Sequence, residues 1–454
     1  MKIIKILKEK LKVNLSDVES VENIFGLRFF HFGIVLLASA PLISFFLLTI
    51  SSIFGSFNRK DNYFNDKYNR PFILAAMLMV INCVLISYKA NFINNQDPSL
   101  AWIGILNWIP FFWCFWSFQI YLKNGMLRIQ AAKYFLIGSL PLLFSGFTQY
   151  FLSWYGPFEI LNKLIIWYQR PLSDGDGVTG LFNNYNYYGA WLSMILPLII
   201  GLFFLEKNNK TLKSITLFVI FSFIYMILLT TSRNALLAVL ITLILLIPIK
   251  KFKFLFISLF TALWVLMTNL IPIFPSNIQN SIFTFFPSSF LQKTVLISNS
   301  EFTSFPRIDL WIKSIKLIKS NLLMGYGGGS FSDLYDLNNG QFEGMQHSHN
   351  ILLEIAFNYG LPSSLLIVGG MVFILFKGSN SFKFNKREGI LKSKNNLSDF
   401  NNAWITSFIV FIFLHMFDIT YFDGRISLVA WILLSGIRKI IEEKKEKNLN
   451  LEGL

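Results

Sequence analysis

The chain has 454 residues, 54% of them hydrophobic and only 14% charged, against roughly 25% charged residues in soluble domains. Apolar runs of about 20 residues, enough to cross a bilayer, recur along most of it, which excludes a soluble globular protein. The formal charge of +15 does not point to nucleic acid. The lysines and arginines fall in short tracts between apolar runs, the topology signal of a membrane protein and a contact for anionic headgroups. The fold class is therefore all-α and polytopic, with about 11–12 transmembrane helices and membrane lipids as its surroundings.

Residues 1–28 read as a basic cytoplasmic leader without a cleavable signal pattern. Ile3, Leu7 and Leu11 share one helical face and Lys2, Lys5, Lys8 and Lys12 another, a short amphipathic helix suited to a membrane surface. An N-terminal bundle follows over 29–274, with candidate spans at 29–57, 72–88, 101–122, 134–153, 187–205, 214–231, 234–249 and 252–274. A polar segment, 154–186, interrupts it. The large loop 275–349 comes next, then spans at 350–376, 402–421 and 425–441, and a tail at 442–454.

Lysine and arginine set the orientation. The tail and the loop 377–401 are basic and are placed inside; counting back puts 154–186 and 275–349 outside. This assignment leaves the lysine-rich N-terminus outside unless 29–57 is two short helices broken at Pro41. The hairpin is favoured.

Few residues offer chemistry. The chain has four histidines, and His347 and His349 stand one apart at the end of the large outer loop. Histidine titrates near neutrality and can take a proton from a hydroxyl; pattern alone does not choose between the two. His415 and Asp418, near the outer end of a later span, could support the same site, whereas His31 reads as a packing residue. Arg233 lies where two spans meet on the outer side, and an arginine near membrane depth defaults to a functional reading. Arg307 follows Pro306 in Ser304-Phe-Pro-Arg, a helix start. Ile308, Trp311, Ile312, Ile315 and Ile318 then form an apolar stripe, so a helix lying on the outer surface is expected, its first turn suited to an anion.

The run Gly325-Tyr-Gly-Gly-Gly-Ser could bring backbone N–H groups to an anion or serve as a plain turn. Asp174-Gly-Asp176 has metal-binding residue types but reads as turn chemistry. Cys83 and Cys114 lie within apolar spans and form no disulfide framework or zinc pattern.

Taken together, four segments resemble the O-antigen ligase/polymerase superfamily of bacterial envelope glycosyltransferases. Gly180-Leu-Phe-Asn-Asn-Tyr-Asn is similar to that family's Gly-x-Phe-x-Asn-Pro-Asn, with Tyr185 in place of proline. Thr231-Ser-Arg-Asn-Ala resembles its Ser-Arg-Gly motif. Asn321-Leu-Leu-Met-Gly-Tyr-Gly-Gly-Gly resembles its Asn-Pro-x-x-Gly-x-Gly-x-Gly, again without proline. His349-Asn-Ile-Leu-Leu-Glu resembles the His-Asn-x-x-Leu that opens the span after the large loop. The resemblance covers roughly 178–370.

It implies metal-independent, cofactor-free transfer of a glycan from a polyprenyl-diphosphate carrier to an acceptor hydroxyl, at the periplasmic face of the bacterial inner membrane. On that pattern His349 is the base, and Arg233 and Arg307 hold the diphosphate. His347, Asn350, Asn186, Gly327, His415 and Asp418 are supporting candidates. A ligase acting on a lipid core, a polymerase acting on glycan and a protein O-glycosylation ligase are all open. Bicarbonate-type transport is the alternative from another class; it calls for inverted repeats and broken mid-membrane helices, and no repeat is visible.

Overall fold

The structure is a computed structural model that describes residues 24–57, 62–90, 98–172, 177–247, 306–337, 340, 342, 344–379 and 396–452. The expected span 252–274, the leader before Ile24 and the pair Asp174 and Asp176 lie outside the described residues.

The first apolar run is two antiparallel helices, α1 (Ile24–Leu36) and α2 (Pro41–Phe57), which is the hairpin favoured from the charge pattern. Proline suits a first helical turn, where its missing N–H has no intrahelical partner to lose. Small residues let the two helices approach: Leu48 seats against Gly33, and Ser44 Oγ donates to the Gly33 carbonyl at 2.7 Å.

Next come α3 (Arg70–Ala90), α4 (Pro98–Ile105), α5 (Ile109–Ser117) with a 3₁₀ turn at Phe118–Leu122, and α6 (Gly125–Phe151). The span expected as one helix over 101–122 is therefore broken. Pro110 has no N–H to donate back to Leu106, and a turn through Leu106–Trp108 separates the halves. A small antiparallel hairpin, β1 (Phe158–Ile160) with β2 (Ile165–Trp167), follows after α6; its three-residue strands are too short to leave a pattern.

The remaining elements are α7 (Tyr185–Leu205), α8 (Lys210–Leu229), α9 (Arg233–Leu246), α10 (Pro306–Ser320), α11 (Phe331–Leu337), α12 (Ile351–Ser379), α13 (Asn396–His415) and α14 (Gly424–Glu452). The last helix runs on through the tail predicted from 442. Among the described residues, six segments are long and apolar enough to cross a membrane, and four shorter apolar helices accompany them. Of the six, helix α7 is the most enclosed: Trp191, Leu192, Met194 and Ile195 are all within 1% of full burial.

Polar side chains collect at the two ends of this bundle. At one end Arg128, fully buried, pairs with Glu443 at 2.6 Å and donates to Asn401, and Arg438 faces Asp66 at 3.6 Å. At the other end the turns at 177–184, 229–232, 348–350 and 416–425 are held by bonds between segments. Gln149 on α6 accepts from the N–H groups of Thr179 and Gly180, both at 3.0 Å. Val178 N–H donates to the Leu229 carbonyl, and Asn350 Nδ2 donates to the Met416 carbonyl at 3.1 Å.

Helix α12 explains the glycine run. Pro362 cannot donate to the Asn358 carbonyl, and Gly360 breaks the helix at φ 83°, ψ 156°, a conformation that suits glycine. Leu361 N–H turns away to the Leu322 carbonyl at 2.8 Å. The freed Phe357 and Asn358 carbonyls accept instead from Tyr326 N–H and Gly327 N–H, both at 2.8 Å. Gly327 is thus part of a brace on α12, and its N–H is spent within the fold.

Candidate active site

The site is built where α12 begins. Asn350 caps that helix: its Oδ1 accepts from Leu352 N–H at 3.0 Å and Leu353 N–H at 3.1 Å, satisfying groups that a helix start leaves orphaned. Ser348 is clamped by the buried Glu354 one turn inside the helix, whose Oε2 accepts from Ser348 N–H at 2.9 Å and Ser348 Oγ at 3.0 Å. Between these two anchors His349 sits at φ 53°, a left-handed conformation that side chains adopt at a cost of about 1 kcal/mol or more. The flanking bonds hold it there.

His349 Nδ1 lies 3.0 Å from Asp418 Oδ1, with a quarter of its side chain exposed. Asp418 sits in the turn between α13 and α14 and also accepts from Ile419 N–H at 2.8 Å. Burial works to raise the titration point of its carboxyl; the hydrogen bond from His349 and the charges of both neighbouring histidines outweigh this and leave it below its ordinary value. A carboxylate so placed keeps the proton on Nδ1 and the lone pair on Nε2. His347 packs edge-on against His349 with ring centroids 4.2 Å apart. Its own basicity is pushed down to about 4, first by burial and then by the charge of His349, against the opposing pull of Asp418.

His415 is elsewhere in role. It is fully buried, with Nδ1 2.8 Å from the Phe411 carbonyl and Nε2 3.0 Å from Thr420 Oγ1. Both nitrogens are engaged, so it shapes the 416–423 turn that carries Asp418 and faces no substrate. His31 stacks on Tyr134.

Arg233 opens α9 after a tight turn in which Thr231 has φ 56°, and its side chain is exposed. Arg307 is in the first turn of α10, close enough for the two positive charges to repel each other, with Tyr185 also in reach of Arg233. One guanidinium is exposed and the other half-buried, and both carry the forked donors that suit anions. Asn186, half-buried in the first turn of α7, donates its N–H to Asn184 Oδ1 at 2.7 Å.

Helix α10 departs from the predicted stripe. Leu310, Ser314, Leu317 and Ile318 face inward, against Phe331, Tyr335 and Phe357, while Ile312 and Ile315 stay exposed. The helix has two apolar faces, and hydrophobicity does not say which one meets protein.

Sequence reasoning passed over Arg425 and Tyr187. Arg425 is buried, pairs with Asp423 at 2.5 Å, lies 3.7 Å above the Phe182 ring and reaches the Leu181 and Ala38 carbonyls at 3.4 Å. It pins the Gly180-Leu-Phe segment to the turn that bears Asp418. Tyr187 is within electrostatic range of Asp418, Asp423 and Arg425. The signal for Arg425 was available: it is an arginine at the start of an apolar helix, the argument that singled out Arg233.

Residues 216–368 match the family model described as O-antigen ligase. The match takes in Arg233, Arg307, the glycine run, His349 and the first half of α12, and stops short of Asp418. No curated protein matches the chain.

Proposed function

We propose that this protein, a member of the O-antigen ligase/polymerase family through the domain at 216–368, transfers a glycan from a polyprenyl-diphosphate carrier to an acceptor hydroxyl at the periplasmic face of the inner membrane. The observation that carries this reading is the His349–Asp418 pair, 3.0 Å apart, at the same end of the bundle as two neighbouring arginines.

In this account the acceptor hydroxyl gives its proton to His349 Nε2 as its oxygen attacks the anomeric carbon. The carbon–oxygen bond to the diphosphate breaks, and the leaving polyprenyl diphosphate takes the electron pair. Asp418 holds the Nδ1 proton and stabilises the imidazolium that forms. Arg233 and Arg307 receive the developing negative charge through paired, charge-assisted hydrogen bonds. The donor's isoprenoid tail stays in lipid while its diphosphate sits at headgroup depth. The exposed Ile312 and Ile315 of α10 suit that boundary, and they keep Arg307 beside it. No step calls for a metal or a cofactor.

The test is the envelope-polysaccharide gel profile of a deletion strain complemented with wild type or His349→Ala. Restoration of a long-chain ladder by wild type alone is expected. Carrier-linked polymer accumulating without the protein marks a ligase, a single-repeat band marks a polymerase, and loss of glycan from protein marks an O-glycosylation ligase. An unchanged ladder with unchanged protein glycosylation contradicts glycan transfer and favours transport.

A further inference from the structure

Beside the acid–base pair stands a nitrogen that the transfer chemistry leaves idle. His347 Nδ1 is buried and has no hydrogen-bond partner among the described residues, a costly state for a polar atom. One donor atom each from His347, His349 and Asp418 lies within 4.8 Å of the others, and His349 Nδ1 and Asp418 Oδ1 are 3.0 Å apart. A tetrahedral zinc ion with ligands at about 2.0–2.1 Å sets its donors roughly 3.3 Å apart. The pair already has near that spacing, and His347 has up to about 1.5 Å to close to join it.

We infer that His347, His349 and Asp418 form a zinc-binding site whose occupation switches the transferase off. The inference rests on the reading of His349 as the base. Two imidazoles and one carboxylate are a donor set that zinc shares with ferrous iron, while magnesium and calcium take oxygen ligands. The ion replaces the proton between Nδ1 and Oδ1. That proton moves to Nε2, with no net change in charge on the imidazole, and Nε2 then holds an N–H where the reaction needs a lone pair. A zinc-bound His349 therefore cannot take the acceptor's proton. The partly exposed face of His349 gives the ion its way in and leaves the fourth position for water.

The experiment is a calorimetric titration of the untagged, detergent-solubilised full chain with zinc chloride, with magnesium chloride as control. One zinc per chain is expected, with affinity falling at least tenfold in His347→Gln and in Asp418→Asn, and no magnesium binding. A variant-free measurement stands beside it: equimolar zinc shields His347 and His349 of the wild type from diethylpyrocarbonate, read by mass spectrometry, and magnesium does not. Unaltered zinc affinity in both variants, or unshielded histidines in the wild type, overturns the site. In the transfer assay zinc is expected to stop turnover, and a chelator to restore it. Zinc held by these residues with turnover undiminished overturns the switch and the base assignment of His349 together, while leaving the ion site standing.

Discussion

His349 Nδ1 and Asp418 Oδ1 meet at 3.0 Å across 69 positions of sequence, joining the start of α12 to the turn before α14. Neither residue is a base of use alone. The histidine without a fixed tautomer divides its lone pair between two nitrogens, and the carboxylate alone is held too acidic to take a proton from a hydroxyl. In the proposed mechanism the two act together as a directed base.

Asp418→Asn tests that division of labour. The amide can accept from Nδ1–H but carries no charge to stabilise the imidazolium. Transfer is expected to fall by about 10²-fold or more, with Ile419 N–H still satisfied and the protein still folded. A rate within twofold of wild type denies Asp418 its part.

Arg233 and Arg307 act on one another electrostatically, so they are expected to serve one diphosphate. Lysine keeps the charge and loses the fork. Each arginine-to-lysine change should slow transfer by roughly 10–10²-fold, and the double change by less than the product of the two, since both act on the same group. Full additivity in single-turnover rates places them on separate ligands.

How much of this was legible follows from where each signal resides. Spans are composition over a window, and their order could be read from apolar runs. Arg233 and His349 sit at ends of apolar runs, where polar chemistry is conspicuous in a greasy chain, and Arg307 stands at a helix-start pattern after Pro306. The break at Leu106–Trp108 was not read, because a mid-span proline is tolerated as often as it divides a helix; the similar Pro141 lies inside the unbroken α6. The glycine run could not be resolved between anion cradle and turn, since the deciding fact is the pair of carbonyls that Pro362 releases in another helix. His415 and Asp418 are three residues apart, and only their hydrogen bonds separate a buried support from a working carboxylate.

The clamp on Ser348 predicts a stability effect. Glu354→Ala strips the acceptor from Ser348 N–H, Ser348 Oγ and Asn358 Nδ2, and should cost about 1–3 kcal/mol through the buried groups left unpaired. Glu354→Gln, which keeps one acceptor oxygen, should cost less. The apparent melting temperature in detergent checks the order; equal values for the two variants contradict it.

Acid should loosen this corner of the fold. His347, held down to about 4 by burial and by His349, binds a proton when unfolded near its ordinary value of about 6.5. Between those values the unfolded chain carries more protons, so stability rises with pH across the window and falls as pH drops from 6.5 toward 4. Asp418, whose carboxyl is depressed, adds stability that is present above its ordinary value and lost as pH falls through its lowered one. His347→Gln should therefore flatten the decline in melting temperature between pH 7 and 5 without altering any loss below pH 4. A slope identical to wild type shows that His347 is not the group responsible.

The most direct test of the account is the rate of transfer by purified His349→Ala in proteoliposomes supplied with a polyprenyl-diphosphate glycan and acceptor. Loss of turnover by about 10²-fold or more, in a variant that keeps the wild-type elution profile and melting temperature, is the predicted result. Turnover at the wild-type rate would remove His349 as the base and the proposed mechanism with it.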